Sequence, residues 1–211
     1  MARVLIIGAS RGIGLEAVRQ ALDAGHAVRA FARSADRIDL SRPALEKVSG
    51  DALSRDDVAV AVRGVDVVIQ VLGVGVAELF RPVRLFSDAT RILIAAMAEA
   101  GVKRLIAVTG YGAGESHDSM NLLQRLPFRL LLGRAYDDKD VQERLIRASA
   151  LDWTIVRPGM LTNGERSGRY QVLLAPSKWR NGAISRADVA DFLVRQIEDR
   201  TCLRAAPVLV C

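Results

Sequence analysis

Apolar positions along the chain fall into two periodicities that alternate from one end to the other. Short, nearly continuous runs rich in Val, Ile and Ala predict strands buried on both faces. They are Val4-Leu5-Ile6-Ile7, 27–32, 45–50, 65–72, 103–109 and 153–157, the last stopped by Pro158-Gly159. Between them apolar residues recur every three or four positions, as helices packed on one face require. This spacing predicts helices over 15–22 (ended by Gly25), 54–63 (Ser54 capping, Asp57 three residues on), 87–100 (closed by Gly101), 136–149 and 185–197. Pro127 is expected to interrupt whatever precedes the fourth of these, and Pro207-Val208-Leu209-Val210 to form an edge strand.

Strand–helix units of this length predict an α/β fold: a doubly wound parallel sheet with helices on both faces, in a single domain spanning 1–211. A strand order of 3-2-1-4-5-6 would put a ligand across the C-terminal ends of strands 1 and 4, where the winding reverses. Segments 73–86, 110–135 and 159–184 are long for connections and are the candidate substrate-facing parts.

Half of the 211 residues are hydrophobic, enough for a full core. The net charge of +6 does not point to nucleic acid. Basic residues are mixed with acids, as in Arg55-Asp56-Asp57 and Asp137-Asp138-Lys139-Asp140, rather than gathered with aromatics. No apolar run reaches bilayer length, so no membrane partner is expected. Cys202 and Cys211 make no disulfide framework, which makes a reducing cytoplasm the expected location. No metal-ligand cluster is evident. A small-molecule substrate and a monomeric or homodimeric state complete the expectation.

The chemistry concentrates first in Gly8-Ala9-Ser10-Arg11-Gly12-Ile13-Gly14, between the first strand and the first helix. Glycines there allow a sharp turn, close approach of backbone N–H groups to a pyrophosphate, and tight packing of helix on strand. The helix N-terminus adds unpaired donors and a positive dipole end. Gly8, Ser10, Arg11, Gly12, Ile13 and Gly14 are therefore candidate cofactor residues. Strand 2 ends Phe31-Ala32-Arg33-Ser34, with no carboxylate until Asp36 to hold a ribose diol. Arg33 offers a planar fork suited to a 2′-phosphate, and Arg11 reaches the same region, so NADP(H) is expected over NAD.

The glycine turn, Gly50-Asp51-Ala52, Leu72-Gly73, Trp153-Thr154-Ile155-Val156-Arg157-Pro158-Gly159 and Ile184-Ser185-Arg186-Ala187-Asp188-Val189-Ala190 together resemble the short-chain dehydrogenases/reductases. The last two segments resemble the atypical NAD(P)H-binding branch, which includes biliverdin reductase B/flavin reductase-like and NmrA-like proteins. The resemblance implies a Rossmann-type fold. It also implies that Asp51 with Ala52 or Leu53 touches the adenine and that Leu72-Gly73 borders the ribose. Pro158, Gly159 and Met160 would wrap the nicotinamide end. Asp51 as a turn cap, and Leu72-Gly73 as a plain strand end, remain alternatives.

Main-branch enzymes pair a proton-donating Tyr with a Lys four residues later, on one helix face, after a Ser or Thr following strand 5. Here Tyr136 and Lys139 are three apart, and the Ser position is Thr109-Gly110. Taking Lys139 as the register puts Ala135 at the Tyr position and rotates Tyr136 by about 100°, so Tyr136 is either the proton donor, recovered by a local 3-10 turn or a shifted helix start, or a packing or substrate-loop residue. Lys139 is expected either to hold the nicotinamide ribose or to pair with Glu143 at i+4. Tyr111 either approaches the nicotinamide face or packs under a loop, and His117 is a conceivable proton source. A weakened proton donor implies NADPH-dependent hydride transfer to a small conjugated acceptor such as a flavin or quinone. A non-catalytic NADP(H)-binding sensor of the NmrA-like type and a sugar-nucleotide epimerase-like enzyme are the alternatives.

Overall fold

A computed structural model describes residues 1–75, 83–119 and 122–211, with the side chains of 118–132 outside that description. Strands β1 (Arg3–Ile7), β2 (Ala27–Ala32), β3 (Leu45–Ser49), β4 (Val67–Gln70), β5 (Arg104–Val108) and β6 (Asp152–Pro158) are all parallel. They lie in the order β3-β2-β1-β4-β5-β6, the doubly wound order expected. The sheet continues with β10 (Val208–Val210), parallel to β6, and ends with β8 (Gln171–Leu173), antiparallel to β10. Run 207–210 is thus interior rather than an edge. All three β10 residues are fully buried, whereas Gln171 and Val172 of the true edge face outward. At three residues, that edge strand is too short to signal itself.

The first strand explains the fold's continuous apolar runs. Val4 and Ile6 point into one core with α1 (Gly12–Asp23) and α5 (Arg186–Arg195). Leu5 and Ile7 point into the other, with α2 (Arg55–Val62) and α3 (Leu85–Glu99). Helices cover both faces, so neither parity of the strand can be polar. Each fully buried Ile or Leu contributes about 1.5–3 kcal/mol. Ser54 caps α2 as expected, its Oγ accepting from Asp57 N at 3.3 Å.

Helix α4 (Leu122–Ala148) starts well before position 136 and runs through Pro127. A long helix loses only one N–H donor there, which the remaining turns outweigh. Its Asp138, 6 % exposed, accepts from Phe86 N (2.8 Å) and Ser87 N (3.3 Å). The carboxylate thereby caps the start of α3, where Arg84 makes no side-chain cap.

Of the long segments, 73–86 falls partly outside the described residues and ends in α3, while 110–135 forms a 3-10 turn (Gly114–Ser119) and the start of α4. Segment 159–184 holds β8 and a second, two-stranded parallel sheet of β7 (Met160–Thr162) with β9 (Ala183–Ser185).

Candidate dinucleotide site

The glycine turn closes between β1 and α1, with Gly8 N and Ala9 N donating to Phe31 O at 2.9 and 3.3 Å. Its three glycines have different reasons. A Cβ on Gly8 (φ +89°) would lie 2.0 Å from Val71 O, and one on Gly14 would lie 2.1 Å from Gly8 O. Both are required by backbone packing. Gly12 has φ +57°, and a Cβ there would meet only the Arg186 side chain, at 3.7 Å. Its bareness therefore keeps a cradle open in front of α1. The α1 N-terminus has no side-chain cap and no acidic residue in its first turn, so its donors and dipole are available to an anion. A pyrophosphate fits that description. Ser10 is half-buried in the turn and Ile13 is buried beneath it.

Arg11, at the start of α1, and Arg33, just after β2, are both exposed, and neither side chain forms an ion pair among the described residues. Asp36, the first acid after β2, accepts from Ser49 Oγ at 3.3 Å. Asp51 does form a local turn: Oδ1 accepts from Leu53 N (3.0 Å), and its N–H donates to Asp57 Oδ2 (2.8 Å). Leu53 stays 46 % exposed, and Ala52 packs against the core. Beyond β4, Leu72 leans on the same core while nothing lies within 4 Å of a Cβ on Gly73.

At the other end, Thr109 follows β5, and its hydroxyl donates to Glu143 Oε1 at 2.8 Å. Lys139 Nζ donates to the Thr109 carbonyl oxygen. The ammonium lies 5.1 Å from the Phe86 ring centroid and 4.9 Å from that of Tyr136. Burial pushes Lys139 down to about 8, against an upward pull from Glu143. Lys139 forms no ion pair with Glu143 among the described residues. That carboxylate is held instead by Arg157, which corrects the i+4 alternative.

Tyr136 also reaches this corner. Its hydroxyl oxygen lies 2.5 Å from where a Gly110 Cβ would sit, so Gly110 is small to admit it. Burial pushes Tyr136 up to about 12, the opposite of an activated proton donor. Tyr111 packs with Leu173, Trp179, Val208 and Val210 at 4 % exposure, the packing alternative. Burial raises its hydroxyl's pKa as well. His117 is half-buried in the 3-10 turn.

Pro158 O accepts from Tyr111 N (2.9 Å), and Gly159 N donates to Leu209 O (3.0 Å). A Gly159 Cβ would strike Gly182 O at 2.1 Å, so the chain turns there only as glycine. Met160 remains 67 % exposed beside it. Sequence reasoning did not anticipate the parts played by Phe86, Asp138, Arg157 and Arg186. Each acts across elements distant in the chain, so no local spacing marks it.

A glycine turn at a helix N-terminus, beside the strand β1–β4 switch point, defines a dinucleotide-binding α/β protein of the Rossmann type. Residues 8–200 match the NAD(P)H-binding family, and the chain belongs to that family. It fits the atypical short-chain, NmrA-like group read from its motifs and has an oxidoreductase-like architecture. It is 29 % identical over 207 residues to a Bacillus subtilis protein described as an uncharacterized sugar epimerase, YhfK, covering 94 % of this chain and 89 % of that one. Among solved structures it is similar to ChuY, an anaerobilin reductase from Escherichia coli O157:H7 (TM-score 0.83, 27 % identity, 99 % and 96 % of the two chains). A Veillonella parvula short-chain dehydrogenase/reductase in complex with NADP shares the fold (TM-score 0.82, 17 % identity, 100 % and 94 % covered). Among the described residues no helix is long and apolar enough to cross a membrane, and no group of three or more His, Cys, Asp or Glu could hold a metal.

Proposed function

We propose that this protein is an NADPH-dependent oxidoreductase that delivers hydride to a small conjugated acceptor such as a flavin or quinone. The observation that carries this reading is the state of the Tyr136–Lys139 corner. The ammonium is bonded to the Thr109 carbonyl and stacked between two rings, and the Tyr136 hydroxyl is made less acidic by burial. A simple ketone needs a proton at its oxygen as hydride arrives. A conjugated acceptor spreads the resulting charge and takes its proton from water.

The nicotinamide supplies the hydride chemistry when bound. The chain's residues supply the rest. The α1 N-terminus and bare Gly12 receive the pyrophosphate, and Arg33 with Arg11 would bond the 2′-phosphate. Ala52, Leu53, Leu72 and Gly73 line the adenosine side, with Asp51 shaping their turn. Lys139 holds positive charge near the nicotinamide ribose, and Pro158-Gly159-Met160 bounds that end of the site. Similarity to ChuY, a reductase, supports the reaction class. Stopped-flow NADPH oxidation against flavins, quinones and simple ketones tests the proposal. Turnover with the first two and little with ketones is expected. Tight NADPH binding without oxidation by any acceptor would mean a sensor instead, and good ketone turnover a conventional carbonyl reductase.

A further inference from the structure

The side chain nearest the open face of Gly12 comes from far along the chain. Cδ and Nε of Arg186 both lie 3.7 Å from the position of a Gly12 Cβ. Arg186 is the first residue of α5, and its backbone is held firmly. Ser185 caps the helix through Asp188 N (2.9 Å), while the buried Asp188 carboxylate accepts from Ser167 N, Gly168 N, Ser167 Oγ and Ser185 Oγ at 2.8–3.0 Å. One arm of the guanidinium is occupied: Nη1 donates to Thr162 O (3.1 Å) and Asn163 Oδ1 (2.7 Å). Nε and Nη2 donate to nothing among the described residues, and no carboxylate pairs with this side chain.

A guanidinium with free donors therefore stands beside the one glycine whose missing side chain opens the anion cradle. The helix N-terminus there offers backbone N–H groups and a dipole but no full positive charge. We propose that Arg186 binds the pyrophosphate of the dinucleotide from the side opposite the α1 N-terminus, through Nε and Nη2. This rests on the dinucleotide-binding reading of the site and deepens it. The bonds to Thr162 and Asn163 would then tie β7, which begins with Met160 at the nicotinamide end, to the phosphates. Arg186 differs in its duty from Arg33 and Arg11. The pyrophosphate is common to NADPH and NADH, so Arg186 contributes equally to both.

Titration of each purified variant with NADPH, NADH and 2′-AMP, which lacks the pyrophosphate, tests this. Arg186→Ala should weaken both dinucleotides by the same factor, about tenfold, and leave 2′-AMP unchanged. Arg186→Lys should recover part of the loss, since charge returns without the fork. Asn163→Ala keeps the guanidinium and one of its two anchors, and should hold affinity within about twofold. Unchanged dinucleotide affinity in Arg186→Ala overturns the inference while leaving the proposed cofactor intact. So does a loss confined to NADPH, which would place Arg186 at the 2′-phosphate. A loss in Asn163→Ala equal to that in Arg186→Ala would reduce Arg186 to a strap for β7. Failure of the unsubstituted protein to bind either dinucleotide overturns both this inference and the proposed function.

Discussion

Arg157 on β6 and Glu143 on α4 form a two-pronged ion pair, Nε to Oε1 at 2.9 Å and Nη2 to Oε2 at 2.5 Å, with both side chains at most 2 % exposed. The same Oε1 accepts from Thr109, so the pair joins the ends of β5 and β6 to the helix that carries Tyr136 and Lys139. The Trp179 ring covers the guanidinium at 5.0 Å. A Cβ on Gly114 would come within 2.4 Å of Glu143 Oε2 and 2.5 Å of Arg157 Nη2, so the 3-10 turn can pass only as glycine. Arg157→Met should cost about 3–5 kcal/mol because it strands a buried carboxylate. Arg157→Met with Glu143→Leu should be much closer to native, since neither charge then needs solvating. Urea unfolding of the two variants checks this, and equal losses would mean the pair is not what stabilises the junction.

Cofactor preference should follow the two exposed arginines. NADPH is expected to bind at least about tenfold more tightly than NADH, or about 1.4 kcal/mol. Arg33→Ala should remove most of that gap and leave NADH affinity nearly unchanged. Calorimetric titration with both cofactors decides it, and equal affinities in the unsubstituted protein would defeat the assignment.

The glycine turn separates packing from binding. Gly14→Ala should destabilise or unfold the protein, because a Cβ would overlap Gly8 O at 2.1 Å. Gly12→Ala has space, and its φ of +57° costs only about 1–2 kcal/mol. Gly12→Val fills the pyrophosphate cradle and adds β-branched strain at that same positive φ, so both binding and stability should fall. Thermal melts alongside NADPH titrations are the measurement. Normal binding in folded Gly12→Val would show the cradle is unused.

Lys139 predicts a pH dependence of unusual sign. Its folded pKa of about 8 lies below the ordinary 10.5. Between those values the unfolded chain holds a proton the folded protein has lost, so stability rises with pH across that window. Below pH 8 the cost of burying the ammonium is fully present. The stability difference between Lys139→Met and the unsubstituted protein should therefore favour the variant most below pH 8, and that advantage should fade by pH 10.5. The same variant should lose NADPH turnover, and native turnover should fall as pH rises through 8. Melts and rates across pH 6 to 10.5 test both, and a flat stability difference would show that Lys139 does not titrate in this way.

Tyr136→Phe should reduce turnover by less than about tenfold, whereas loss of a true general acid costs about 10²–10⁴-fold. A large loss combined with good activity on ordinary ketones would restore the tyrosine to the conventional role.

The strands, the glycine turn and the helix cap at Ser54 were legible in the sequence because each is written in neighbouring residues. A continuous apolar run followed by glycines and a helical period needs no distant partner to be read. The same locality set the limits. Val208–Val210 is an interior strand only because the short Gln171–Leu173 segment returns to cover it, and that pairing leaves no periodic trace. Tyr136 and Lys139 show their spacing in sequence, but whether a hydroxyl is acidic depends on what surrounds it. The packing around α4 and Phe86 desolvates both groups and brings the ammonium onto the Thr109 carbonyl and over the Phe86 and Tyr136 rings. Likewise Glu143 is four residues from Lys139 in the chain yet bonds Arg157, because the fold brings a planar guanidinium on β6 to the carboxylate in a two-pronged geometry that an ammonium cannot match. Sequence determined which residues could carry the chemistry. Only tertiary packing decided which charges meet, since burial and partner choice are properties of contacts between distant segments.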